Sequence, residues 1–231
     1  MIHEAKAAVP FTFDEAAELI ANIGILPLAP LIPGHPSLKE LTREEDWHTD
    51  TELDPWQWRV RFPGEGKAAY GKFMKKKAVL VAREWFPYFA VSLGSSLSLK
   101  ERYDRGLSGR EALTVLEIIK AKEGIETRQL RSEADMKAKE KKTAFDNALN
   151  ELQGSVDIVI SVVRPRLNAA GDQNGWNSTS FETALHWMRE SGMEPFAGDK
   201  EEAMAWLNAR IESVWSPEAA AWIQKLWAKT K

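Results

Sequence analysis

The sequence predicts an α+β protein, with a β-hairpin in its N-terminal part, a central module of three helices and three strands, and helices at its C-terminus. Three observations carry that expectation. Ser, Thr or Asp followed three residues later by Glu recurs ahead of apolar stretches, the spacing at which each side chain satisfies the other residue's free backbone N–H and opens a helix. Behind those pairs the apolar residues fall three and four apart. Elsewhere "AYGKFM", "AVLVA" and "VDIVISVVR" are β-prone runs. A chain of 231 residues that is 44% hydrophobic and 28% charged is long enough to bury a sizeable core.

Along the chain, Thr12 and Glu15 open a helix through "FTFDEAAELIANIGI" that ends near Gly24, and "LPLAPLIPGHP" reads as a surface crossing. Ser37 and Glu40 repeat the capping pair. Asp54 before Pro55 suits the N-cap and first helical position, because proline has no N–H to lose there. The two β-prone runs from Ala69 to Ala82, joined through Lys75 to Lys77, read as a hairpin with lysines at its turn, and "REWFPYFAVS" as a short helix laying aromatic side chains on the sheet. Gly94 to Gly109 is the candidate boundary, so the expected regions are 1–106, 107–190 and 191–231.

In the middle region, Ser108 and Glu111 open a first helix with Leu113, Leu116 and Ile119 on its apolar face. The extended "IE" then leads to a second short helix, with Thr127 as its cap. A third helix places Phe145, Ala148, Leu149 and Leu152 on one face and stops at Gly154. "VDIVISVVR" and "WNSTSF" read as strands around a turn-rich loop. Helix, short strand, helix, helix, strand, loop, strand is the order of a winged helix. Thr179 and Glu182 then cap a helix carrying Phe181, Ala184, Leu185 and Met188, and two further helices start at Asp199 and at Ser216-Pro217.

Charge is unevenly distributed. Residues 1 to 66 hold 5 basic and 12 acidic side chains, residues 67 to 142 hold 18 and 10, and residues 143 to 231 hold 8 and 12, within a net charge of −3. A basic centre between acidic ends suits contact with a polyanion, and equally a solvated face. The absence of cysteine excludes disulfides, thiolate metal sites and cysteine nucleophiles. No basic segment followed by an apolar run opens the sequence, and prolines interrupt its most apolar stretch, so a cytoplasmic protein without a membrane partner is expected.

The run "DPWQWRVRFPGEGKAAYGKFMKKKAVLVAREWFPYF", with "KKTAFDNALNELQ" and "NSTSFETALHW", resembles the AlkZ-related bacterial proteins over roughly residues 50 to 190. These are distant relatives of AlkZ-type DNA glycosylases, which remove alkylated or crosslinked bases with a fold assembled from winged-helix units. The resemblance implies a winged helix, double-stranded DNA as partner and a link to repair. It carries no catalytic residue across. The glycosylases use Gln-x-Gln or Gln-x-Asp, whereas Gln57, Gln129, Gln153, Gln173 and Gln224 stand in neither pattern. A base-excising enzyme without that motif and a protein-interaction winged helix are the alternative readings.

If the third helix reads DNA, the side opposite Phe145 and Leu149 presents Thr143, Asn147 and Asn150, with Lys139 and Lys142 as phosphate contacts; Asp146 and Glu151 oppose them. Arg164 and Arg166 stand at the base of the wing. Trp56, Trp58, Tyr70, Trp85 and Trp176 are candidates for stacking a base or another flat ligand, against the commoner role of such rings in cores. His3, His35, His48 and His186 lack zinc-ligand spacing, and the acidic stretch "REEDWHTDTELD" reads as a solvated face ending in an N-cap. No metal or cofactor is expected, and the oligomeric state is open.

Overall fold

Five antiparallel pairings build the sheet of this protein, whose computed structural model describes residues 11–161 and 179–228. Within them lie eleven α-helices and six strands. Helix α1 (Phe13–Ile23) has the Thr12/Glu15 capping box and buries Phe13, Ala16 and Ile20. It stops at Gly24, whose φ of 80° only glycine adopts without strain. There the chain turns directly into β1 (Ile25–Pro27), where surface crossing was expected. All three residues are buried, and Pro27 is tolerated because β1 is an edge strand that pairs only with β3 (Lys77–Ala82).

Ser37 and Glu40 cap the single turn α2 (Leu38–Leu41), and Asp54 caps α3 (Pro55–Gly64). Then β2 (Ala68–Met74) pairs with β3 through a turn at Lys75 and Lys76, and α4 (Phe86–Leu93) sets Phe86 and Phe89 against Phe73 of the sheet. The segment proposed as a boundary holds a further helix, α5 (Leu99–Asp104), with its own Ser98/Glu101 capping box. Its Arg102 is 7% exposed and reaches Asp157 at 2.5 Å.

Next come α6 (Arg110–Ala121), β4 (Ile125–Glu126), α7 (Thr127–Glu133), a 3-10 turn at Lys139–Lys141, α8 (Lys142–Gly154), β5 (Ile158–Ile160) and β6 (Ser180–Thr183). Two expected caps are displaced. Gly109, one residue after Ser108, is the N-cap of α6, so the Ser108 hydroxyl makes no cap bond. Thr127 lies inside α7, where its hydroxyl donates to the Thr179 carbonyl at 2.5 Å and fastens β4 to the start of β6.

Phe181 corrects the sequence reading most. It belongs to β6, between Ile160 of β5 and Ile125 of β4, and α9 (Ala184–Glu190) begins three residues after it with Thr183 as its cap. Its expected companion Leu185 is 41% exposed. Strand neighbours on both sides bury Phe181 more completely than one helix face would, so tertiary packing overrides the local spacing. Two helices finish the chain, α10 (Lys200–Val214) behind the Asp199/Glu202 box and α11 (Pro217–Ala228).

Strand order is β1-β3-β2-β5-β6-β4. One row of paired residues, Leu26, Leu80, Tyr70, Ile160, Phe181 and Ile125, crosses all six strands. The buried side chains on either side of that row form one connected cluster. Among the described residues, no helix is long and apolar enough to cross a membrane.

Candidate nucleic-acid interface

Helix α8 inherits its orientation from its apolar residues. Phe145, Ala148, Leu149 and Leu152 are buried as their spacing predicts, and Gln153 is buried with them. The opposite side is therefore outward: Thr143 and Asn147 are exposed and Asn150 is half-buried. No side chain caps α8, because the 3-10 turn at Lys139–Lys141 runs straight into it. Before that turn the chain is held by Arg131, whose Nε donates to the Met136 carbonyl at 2.5 Å and whose Nη2 donates to the Ala138 carbonyl at 2.9 Å. Lys139 thus arrives at the head of α8 on a fixed backbone.

The lysines there are not equivalent. Lys141 reaches Asp135 at 2.8 Å, and its ammonium holds that carboxyl below the usual aspartate range. Lys142 pairs with Asp146 one turn on, which neutralises the carboxylate expected to oppose an anion. Lys137 and Lys139 are exposed with no carboxylate partner among the described residues. Glu151 is half-buried with one carboxylate oxygen that has no hydrogen-bond partner. The outward face of α8 therefore offers a free ammonium, a hydroxyl and two amides around one neutralised pair.

The aromatic candidates do not gather at one surface. Trp58 is 1% exposed and donates from Nε1 to the Glu52 carbonyl at 2.8 Å; Tyr70 is 5% exposed at the centre of the sheet; Trp85 is 3% exposed and lies against Gly24. Burial pushes the Tyr70 hydroxyl pKa up, against the opposing influence of Arg59. Trp56 alone of these four is half-buried, with the Arg59 guanidinium 3.6 Å from its ring centre and the His48 ring 4.8 Å away. Arg164, Arg166 and Trp176 lie outside the described residues.

The acidic stretch before α3 is built around one buried carboxylate. Asp54 is fully buried and accepts the backbone N–H groups of His48, Asp50 and Trp56 at 2.9 to 3.1 Å. Those bonds hold His48 and Asp50 at φ of 64° and 54°, conformations uncommon for residues other than glycine. Among the described glutamines, Gln153 is wholly committed: its Oε1 accepts the Lys72 N–H at 3.0 Å and its Nε2 donates to the Leu149 carbonyl at 2.9 Å.

Sequence reasoning missed one titrating pair. His186 Nδ1 lies 2.6 Å from Glu182 Oε2, four residues earlier across the strand-to-helix junction. Burial raises the Glu182 carboxyl pKa. For His186 burial works against the cation, but the Glu182 hydrogen bond and the fields of Glu123, Glu182 and Glu190 outweigh it and raise the imidazole. The i, i+4 spacing was visible; the burial of Glu182 was not, because it comes from the sheet. No group of three His, Asp or Glu with metal-holding geometry occurs among the described residues.

No curated protein and no solved structure matches this sequence. A family model described as "AlkZ related" matches residues 11–228, nearly the whole chain, and covers the sheet, α8 and the terminal helices alike. The chain belongs to the AlkZ-related family.

Proposed function

We propose that this protein contacts double-stranded DNA in support of base repair, through a winged helix made of α6, β4, α7, α8, β5 and β6, with α8 as the recognition helix. Residues 1–106 and 191–231 are the flanking regions in this reading. The observation that carries it is the outward face of α8, where exposed Thr143 and Asn147 follow an unpaired Lys139. An asparagine amide can both donate to and accept from an adenine edge, and a lysine ammonium neutralises phosphate. Pairing of Lys142 with Asp146 supports the reading by removing a repulsive charge from that face. Membership of a family related to DNA glycosylases supports the choice of partner.

Fluorescence anisotropy with a labelled duplex, repeated across a salt series, tests it. Binding should weaken linearly in log–log form. Lys139→Gln should flatten the slope by about 0.9, the contribution of one phosphate contact. Asn147→Ala should lower affinity and leave the slope unchanged. Salt-independent binding, or variants indistinguishable from the parent protein, would sink the reading.

A further inference from the structure

We propose that the tip of the β2–β3 hairpin is a second phosphate-contacting surface, built to hold a nucleic-acid backbone at the end of α8 opposite Lys139. Residues 66 to 83 contain Lys67, Lys72, Lys75, Lys76, Lys77 and Arg83 and no carboxylate. Lys72, Lys75, Lys76 and Lys77 are all exposed. None has a carboxylate within 4.0 Å among the described residues; Lys75 rests over the Trp222 ring of α11, 4.7 Å from its centre. Two of the α8 lysines are neutralised by their own chain, whereas this group is not.

The backbone makes the placement more telling. Lys75 and Lys76 occupy φ of 48° and 58°, left-handed positions that hairpin turns usually give to Asn and Gly. Lys75 gains its contact with Trp222, but Lys76 has no such partner among the described residues, and side by side the two repel one another. Lysines on edge strands can also serve to block unwanted pairing, but β2 and β3 are interior strands of the sheet, and beyond the last pairing with β5 the Lys72 N–H is already taken by Gln153. The charge is therefore directed at something outside the chain.

The tip is also fixed relative to α8. Met74 pairs with Lys77 to close the turn, and the Lys72 N–H donates to Gln153 Oε1 near the C-terminal end of that helix. The thirteen residues of α8 span about 20 Å. Measured along the duplex axis that spans about six phosphates of one strand, which rise roughly 3.4 Å each. The repeating anion that fits two separated, rigidly spaced cationic groups is a nucleic-acid backbone.

This inference shares with the proposed function only the choice of duplex DNA as ligand, and the test separates them. The full-length chain is titrated with a labelled duplex of 20 base pairs over a salt series, beside Lys139→Gln. The triple variant Lys72→Gln, Lys76→Gln, Lys77→Gln should flatten the salt slope by about 2 to 3. The matching triple to Arg should keep the slope. Lys76→Gly, which relieves the left-handed turn, should raise Tm by about 2–4 °C while flattening the slope by about one. A loss in the triple variant with none in Lys139→Gln upholds the hairpin and overturns the α8 reading. The reverse overturns the hairpin proposal, and no duplex binding by the parent protein overturns both. Hairpin-dependent binding to phosphatidylserine vesicles without duplex binding overturns the assignment to nucleic acid.

Discussion

Replacing Gln153 by Met probes the joint on which the spacing of hairpin and helix depends. Among the described residues β2 pairs with β5 only at Tyr70 and Ile160, so the Lys72 N–H, two residues on, uses the Gln153 amide. Gln153 is 2% exposed, and methionine matches its length. The Lys72 N–H, part-buried in that bond, would then lose its acceptor, at a cost within about 1–3 kcal/mol. The Leu149 carbonyl loses a second donor but keeps its place in the helix ladder, which adds little. Apolar burial of the thioether offsets part, leaving a net loss of about 1–2 kcal/mol. For a chain of this size that lowers Tm by about 2–8 °C. Thermal unfolding followed by tryptophan fluorescence measures the shift, and amide exchange at Lys72 reports the bond itself. Gln153→Glu adds a signature: it keeps the acceptor but opposes a carboxylate to the Leu149 carbonyl, so its deficit should shrink on acidification. A Met variant that melts with the parent protein and keeps Lys72 protected would refute the reasoning.

Three other perturbations have expected outcomes. Asp54→Ala removes the α3 cap and the acceptor for the His48 and Asp50 N–H groups, and should cost about 3 kcal/mol by urea unfolding, with Asp54→Asn intermediate. Gly24→Ala would place a methyl group inside the Trp85 ring at a positive φ and should cost about 2–4 kcal/mol in the same assay. The histidines act oppositely on stability against pH. His35 is driven below the ordinary value of 6.5 chiefly by burial, against the help of the Ile25 carbonyl, so its contribution is present above 6.5 and lost as pH falls. His186 is raised, so its contribution is full below 6.5 and lost as pH climbs through its folded value. Tm measured from pH 5.5 to 8 should show His35→Gln flattening the acid side and His186→Gln flattening the alkaline side.

What could be read in advance was local. The boxes at Thr12/Glu15, Ser37/Glu40 and Asp199/Glu202 stand where their spacing put them, since both partners lie within one turn. The buried face of α8 followed from periodicity, and its outward face from the same wheel. Strand β1 did not, because its three residues carry no period and exist only through Val79 to Val81, whereas the short strand expected at "IE" is β4, paired with Phe181 and Ser180. The Ser98/Glu101 box had the right spacing but sat in a Gly- and Ser-rich stretch that reads as loop. At the candidate site, the Lys142–Asp146 pair was legible as i, i+4, whereas Lys141–Asp135 depends on Asp135 taking a φ of 52°. Burial of Trp58, Tyr70 and Trp85 was beyond reach, since the same rings serve cores and stacking platforms.

The row of residues from Leu26 to Ile125 bears on how the chain reaches this state. Tyr70 must wait for Ile160, and Ile125 for Phe181, so the two halves of the sheet close only after long loops have been drawn in. Pairings that distant slow folding. During synthesis the hairpin emerges some 75 residues before its neighbour β5, with the outer side of β2 unpaired. Until β5 docks, that open side of β2 is the edge exposed to pairing between nascent chains.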